Sequence, residues 1–121
     1  MASKRRRLSR SGEFDRVYRD GTSHATRFLV LYTFPRGEDD DEGARLGVSV
    51  SRKVGGAVQR NRVKRVLREA FWSLGDRLPE GNDFVIVARP AIVELIEREG
   101  AQGVAADLEE ALARHQGGRS T

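Results

Sequence analysis

Between positions 60 and 68 the chain carries Arg60, Arg62, Lys64, Arg65 and Arg68, and no acid follows until Glu69. The surrounding stretch, "GGAVQRNRVKRVLREAF" at 55–71, also spaces its apolar residues as a helix does. On such a helix the like charges at Arg60/Lys64 and Lys64/Arg68 repel, each pair costing roughly 0.2–0.5 kcal/mol. Cations in the first turn also oppose the helix dipole, where Asp or Glu would be favourable. A run that breaks local stability rules points to function. Arginine is informative here, because its planar fork grips phosphate oxygens bidentately and stacks on bases. Gly55 and Gly56 place backbone amides at the helix start, which also suits a phosphate. The run lacks the G-x-x-x-x-G-K-[ST] spacing of a nucleotide-binding P-loop. The chemistry on offer is the binding of a polyanion.

The rest of the chain is consistent with that chemistry. Arg52 and Lys53 extend the cluster, and residues 52–68 contain no acid. A second cluster, Lys4, Arg5, Arg6, Arg7, Arg10, Arg16, Arg19 and Arg27, faces only Glu13, Asp15 and Asp20. Residues 80–121 reverse the balance, and a further acidic run, "EDDDE", occupies 38–42. The net charge of +4 therefore conceals a cationic surface segregated from a neutral or acidic back. The other reading of any one arginine-rich face is plain solvation; two clusters and a pI near 10.1 weigh against it.

A catalytic centre is not visible. His24 and His115 fall in different elements without a carboxylate or nucleophile partner, and Ser49 and Ser51 lie outside a G-x-S-x-G context. The acids at 38–42 lack calcium-loop spacing. With no cysteine there is no disulfide and no thiolate metal site. No apolar run approaches the roughly 20 residues of a membrane span, and the charged N-terminus has no apolar stretch behind it, so a cytoplasmic protein is expected.

The elements that must position the cations follow from periodicity. At 121 residues a single domain is expected, with a flexible basic arm at 1–10, a polyanion-binding α/β domain at 11–116 and a loose tail at 117–121. Ser11 looks like the N-cap of a helix to about Arg19, with Phe14, Val17 and Tyr18 on one stripe and Gly21 ending it. Strands are expected over 22–26, 28–34, 44–51 and 83–89. On the second, Phe28, Val30, Tyr32 and Phe34 share one face while Leu29, Leu31 and Thr33 share the other. The cationic helix should run to about Leu74, burying Val63, Val66, Leu67, Ala70, Phe71 and Leu74. Trp72 falls on its polar side, either packed against a neighbouring helix or loop or exposed as an aromatic surface. Pro90 suits the first turn of a last helix, which Gly100 and Gly103 are expected to interrupt before the stripe Val104, Leu108, Ala111 and Leu112. The order α-β-β-β-α-β-α indicates an α/β (α+β) two-layer sandwich on a mixed four-stranded sheet.

The stretch "GGAVQRNRVKRVLREAF" resembles the signature of the bacterial ribonuclease P protein subunit, whose mark is an R-N-R helix, here Arg60, Asn61 and Arg62. "RLSRSGEFDRVYRDGTS", "RFLVLYT", "RLGVSVSRKVGGAV" and "DFVIVARP" are similar to the family's first helix, aromatic strand, glycine turn and following strand. The resemblance spans roughly residues 5–98 in the same order. It implies a ribosomal-protein-like fold with a left-handed β-α-β crossover, against the usual right-handed rule. It also implies that a catalytic RNA, with magnesium ions held mainly by RNA and none bound tightly by the protein, removes the 5′ leader of precursor transfer RNA while the protein assists. By position, Arg52, Lys53, Arg60, Asn61, Arg62, Lys64, Arg65 and Arg68 would contact the catalytic RNA, and Phe14, Tyr18, Val30 and Tyr32 would line a cleft for the single-stranded leader. Phe14 is equally readable as core. Neither a membrane nor a small-molecule substrate is implied. The rival readings are a ribosomal-type or other structured-RNA-binding protein, and a small phosphodiesterase acting alone.

Overall fold

In a computed structural model, described for residues 6–7, 11–36, 43–79 and 81–119, the chain forms one five-stranded mixed sheet, three α-helices and a short 3-10 turn at Gly75–Arg77. In chain order these are β1 (Arg6–Arg7), α1 (Ser11–Asp20), β2 (Thr22–Ala25), β3 (Leu29–Pro35), β4 (Arg45–Ser49), α2 (Ala57–Ser73), β5 (Asn82–Ala88) and α3 (Ile92–Arg119). The strands lie in the order β1-β4-β5-β3-β2. β1 and β4, and β4 and β5, run parallel; β5 and β3, and β3 and β2, run antiparallel. The four expected strands are present, and the β4–α2–β5 connection is a crossover between adjacent parallel strands. The fifth strand is a correction: Arg6–Arg7, inside the expected flexible arm, pair with Arg45 and Leu46 at the sheet edge. Two residues carry no periodicity, so only the pairing reveals them. The rest of the arm and the acidic run at 38–42 lie outside the described residues.

The pleat of the sheet divides the molecule. Leu29 and Leu31 of β3, Leu46 of β4, and Phe84 and Ile86 of β5 point to one face, where α2 and α3 cover them. The buried stripe of α2 is Val63, Leu67, Ala70 and Phe71, with Val66 half-buried beside it and Leu74 capping the end. Val104, Leu108, Ala111 and Leu112 of α3 are buried as their spacing requires. Each large aliphatic side chain so buried contributes about 1.5–3 kcal/mol. The opposite face carries Val85 and Val87 of β5 with Tyr32 and Phe34 of β3, and Val17 and Phe14 of α1 pack there. The α2–α3 layer on the sheet is the expected sandwich, and α1 adds partial cover on the second face. Phe28 departs from the expected alternation: it precedes β3 and packs with the α2–α3 core.

Two glycines decide where helices lie. The backbone of Gly100 has φ 64° and ψ −155°, and α3 is broken there as expected. Gly103 does not interrupt it: the helix continues, and a Cβ at 103 would sit 2.5 Å from Glu99 Cβ, so glycine provides clearance after the bend. The helix also passes position 116 and runs to Arg119, because two further glycines, at about 1 kcal/mol each, slow a helix without the steric stop of a proline. At Gly21 the amide closes α1 onto Val17 O at 2.9 Å. A Cβ there would meet Val17 O at 2.5 Å and Thr33 O at 2.7 Å, both backbone atoms. Gly21→Ala is therefore expected to cost about 1–3 kcal/mol by overpacking, measured by denaturant unfolding.

Candidate nucleic-acid interface

The cationic group is built on α2 and the turn before it. Ser51 folds that turn, accepting the Lys53 amide on Oγ at 3.3 Å and the Val54 amide on its carbonyl at 3.0 Å. Arg52 and Lys53 are exposed on it. Gly56 caps α2 with extended backbone and no side-chain hydrogen bond, and no acid occupies the first turn. On the helix Asn61, Arg62 and Arg65 are exposed, while Arg60, Lys64 and Arg68 are half-buried. Arg60 Nε is buried without a hydrogen-bond partner among the described residues. Arg62 lines the crevice where α2 meets α3, with Gln59, Val93 and Glu97. All eight expected residues of this group thus share one helix and its leading turn.

The aromatic group lies across the sheet, beneath α1. The Tyr18 ring stands 5.0 Å from Tyr32, nearly edge-on at 79°, and 6.3 Å from Phe14. Tyr18 is exposed, Tyr32 is half-buried, and Phe14 packs against Val17 and Val85. Val30 shares the strand face of Tyr32, opposite Ala25 on one side and Val87 on the other, and is half-buried. Three of the four expected residues form a continuous aromatic row and Val30 extends its floor. Burial pushes the Tyr18 hydroxyl above its ordinary value, partly offset by a hydrogen bond with Ser49, so it stays neutral at physiological pH. Ser49 thereby ties the wall of this groove to β4, two residues before the cationic turn.

The residues that set the groove's geometry carry no motif in the sequence. Asp83 at the head of β5 is fully buried and accepts from three arginines. Arg45 donates through Nε at 2.7 Å and Nη2 at 2.8 Å, Arg36 through Nη1 at 2.6 Å, and Arg16 of α1 through Nη2 at 3.1 Å. Arg36 also donates to the carbonyls of Asn82 and Gly43, which fixes the chain on either side of the acidic run. Burial alone would raise the Asp83 carboxyl, but the Arg45 and Arg36 hydrogen bonds outweigh it and hold it below the usual carboxylate range. Arg16 reaches this cluster while its guanidinium lies 4.9 Å from the centre of the Phe34 ring, so α1 is held to the sheet by charge and by ring. The available signal is an acid in phase with Val85 and Val87 and followed by five apolar residues, which demands a cation.

At the other end of the groove, α3 fastens the β2–β3 turn. Thr26 Oγ1 donates to Asp107 Oδ2 at 2.6 Å and accepts from the amides of Phe28 and Leu29. Arg89 and Arg114 donate to the carbonyls of Thr26 and Ala25. Burial raises the Asp107 carboxyl, and the Thr26 bond partly restores it.

Among the described residues no three His, Cys, Asp or Glu side chains cluster as metal ligands, and Asp83 is occupied by arginines. Nor is any helix among them long and apolar enough to cross a membrane.

Known proteins share both the sequence and the fold. The family model for Ribonuclease P matches residues 2–116. A ribonuclease P protein component from Bacillus pumilus is 41% identical over 96 residues, covering 79% of each chain. The RNase P protein from Thermotoga maritima superposes with a TM-score of 0.76 at 31% identity, over 89% of this chain and 96% of that one. The Staphylococcus aureus RNase P protein gives 0.74 at 32% identity, over 93% and 96%. Sequence and fold agree, and the chain belongs to the ribonuclease P protein family.

Proposed function

We propose that this chain serves in the cytoplasm as the ribonuclease P subunit that binds the catalytic RNA through Arg52, Lys53, Arg60, Asn61, Arg62, Lys64, Arg65 and Arg68. In this reading it holds the single-stranded 5′ leader of precursor transfer RNA over Phe14, Tyr18, Val30 and Tyr32. The observation that carries the reading is the division of labour across the sheet. Cations gather on α2 and its leading turn, and aromatics under α1 on the other face of the sheet, so two RNA strands can be engaged at once. Unpaired bases stack on aromatic rings, and phosphates pair with arginines whose mutual repulsion the RNA then relieves. Hydrolysis of the phosphodiester falls to the RNA with magnesium ions that it holds. The protein lowers the phosphate repulsion between the two RNAs and fixes the leader's path.

Reconstitution tests this directly. A ribonuclease P RNA and a precursor transfer RNA are mixed at low magnesium with and without the protein. Cleavage that needs both macromolecules is the expected result. Cleavage by the protein without the RNA would overturn the proposal, and binding of structured RNA with no effect on cleavage would favour the ribosomal-type alternative. Within that assay, Arg62→Ala is expected to weaken assembly with the RNA. The slope of log affinity against log salt should flatten by about one unit for each phosphate the variant no longer neutralises.

A further inference from the structure

The polar side of α2 does more than present charge. Arg65, Arg68, Glu69 and Trp72 recur at i, i+3, i+4 and i+7, so they form one stripe along the second half of the helix. Together with Ser73 they line a shallow, open hollow on the outer side of the helix. Trp72 is half-buried: its ring meets Phe71 edge-on at 4.8 Å and 84°, and it packs against the core while lining the hollow. The Ser73 hydroxyl is turned inward, donating to Ala70 O at 2.6 Å. The recognising groups are thus an indole anchored by the core, two guanidinium groups and one carboxylate.

That set matches one kind of occupant. An indole offers a stacking surface to any base; guanidinium groups pair with the phosphate or lie flat on the base; a carboxylate accepts from an exocyclic amino group. A peptide carboxylate would use the arginines but not the indole, and an apolar peptide would leave the charges unmet. We propose that this hollow is a binding site for a single unpaired nucleotide of the catalytic RNA, stacked on Trp72 with its phosphate held by Arg65 and Arg68. The inference rests on the reading that α2 faces that RNA, and it adds a base-stacking contact to a surface otherwise assigned to phosphates.

Trp72 is the one tryptophan in the chain, so it reports its own occupancy. The full-length protein is titrated with a ribonuclease P RNA while assembly is followed independently by filter retention. Indole fluorescence and its quenching by acrylamide are read at each point. Assembly should quench the emission and protect the indole from acrylamide. Trp72→Leu, which keeps an apolar side chain against Phe71, should weaken assembly about fivefold or more, and Trp72→Phe by less, as removal of one stacked base predicts. Failure of the unsubstituted protein to retain the RNA would remove the α2 reading and this site with it. Retention with unchanged emission and acrylamide access would overturn the nucleotide site alone, and the unsubstituted protein decides this even if Trp72→Leu folds poorly.

Discussion

Asp83→Asn is expected to destabilise the fold by about 3–5 kcal/mol, the usual cost of removing one partner from a buried ion cluster. The side chain of Asp83 is fully buried and that of Arg36 is 3% exposed, so neither can turn to water when the other is removed. Asparagine keeps the shape but removes the buried negative charge to which Arg45, Arg36 and Arg16 donate. For a chain of this size the destabilisation should lower the thermal midpoint by on the order of 15 °C. Arg16→Ala should cost less, because Arg16 is 41% exposed and Asp83 keeps Arg36 and Arg45. The pH dependence has a definite sign. Asp83 titrates below the ordinary carboxylate value when folded and at that value when unfolded. Its stabilisation is therefore full above the unfolded value and fades as pH falls through it towards the folded value. Thermal melts from neutral to acid pH should show a steeper acid limb for the unsubstituted protein than for Asp83→Asn. Parallel limbs would mean that Asp83 does not carry the linkage.

That cluster marks the limit of what can be read from the sequence. The buried stripe of α2 follows from spacing alone, since Val63, Leu67, Ala70 and Phe71 can share a face only on a helix. The two faces of β3 follow likewise from alternation. Periodicity says which side of an element is apolar but not which side of the sheet it covers, so the position of α1 opposite α2 and α3 is not derivable from it. The partners of Asp83 stand 67, 47 and 38 residues away along the chain, and only the folded sheet brings Arg16, Arg36 and Arg45 to it. Ser49 has no nucleophile motif around it, and its hydrogen bond with Tyr18 depends on α1 lying over β4, which local pattern does not encode. The cations of α2 are readable for the opposite reason. Their excess is a local violation, visible wherever the helix ends up.

Tyr32→Ala should weaken precursor transfer RNA binding to the assembled ribonuclease P by roughly 5- to 150-fold, the equivalent of about 1–3 kcal/mol for one stacked base. Mature transfer RNA, which lacks the leader, should bind as before. The geometry explains why Tyr32 is the informative position. Phe14 is bound up with Val17 and Val85, so its removal would confound packing with recognition. Tyr18 is tied to Ser49 and stands edge-on to Tyr32, so its ring braces the other as well as offering a surface. Tyr32 is half-buried on a strand pinned on both sides, by β2 and by β5, and its truncation leaves the backbone in register. Alanine there also removes packing of the ring against the Val17–Val85 cluster, so unfolding of the variant must be measured alongside. Tyr32→Phe separates the two effects. It keeps the platform, gives up only the hydroxyl, and should retain nearly all of the leader's contribution. If Tyr32→Ala folds normally yet binds and cleaves precursor as the unsubstituted protein does, the groove under α1 is not the leader's path. If mature transfer RNA is weakened equally, the groove holds something other than the leader.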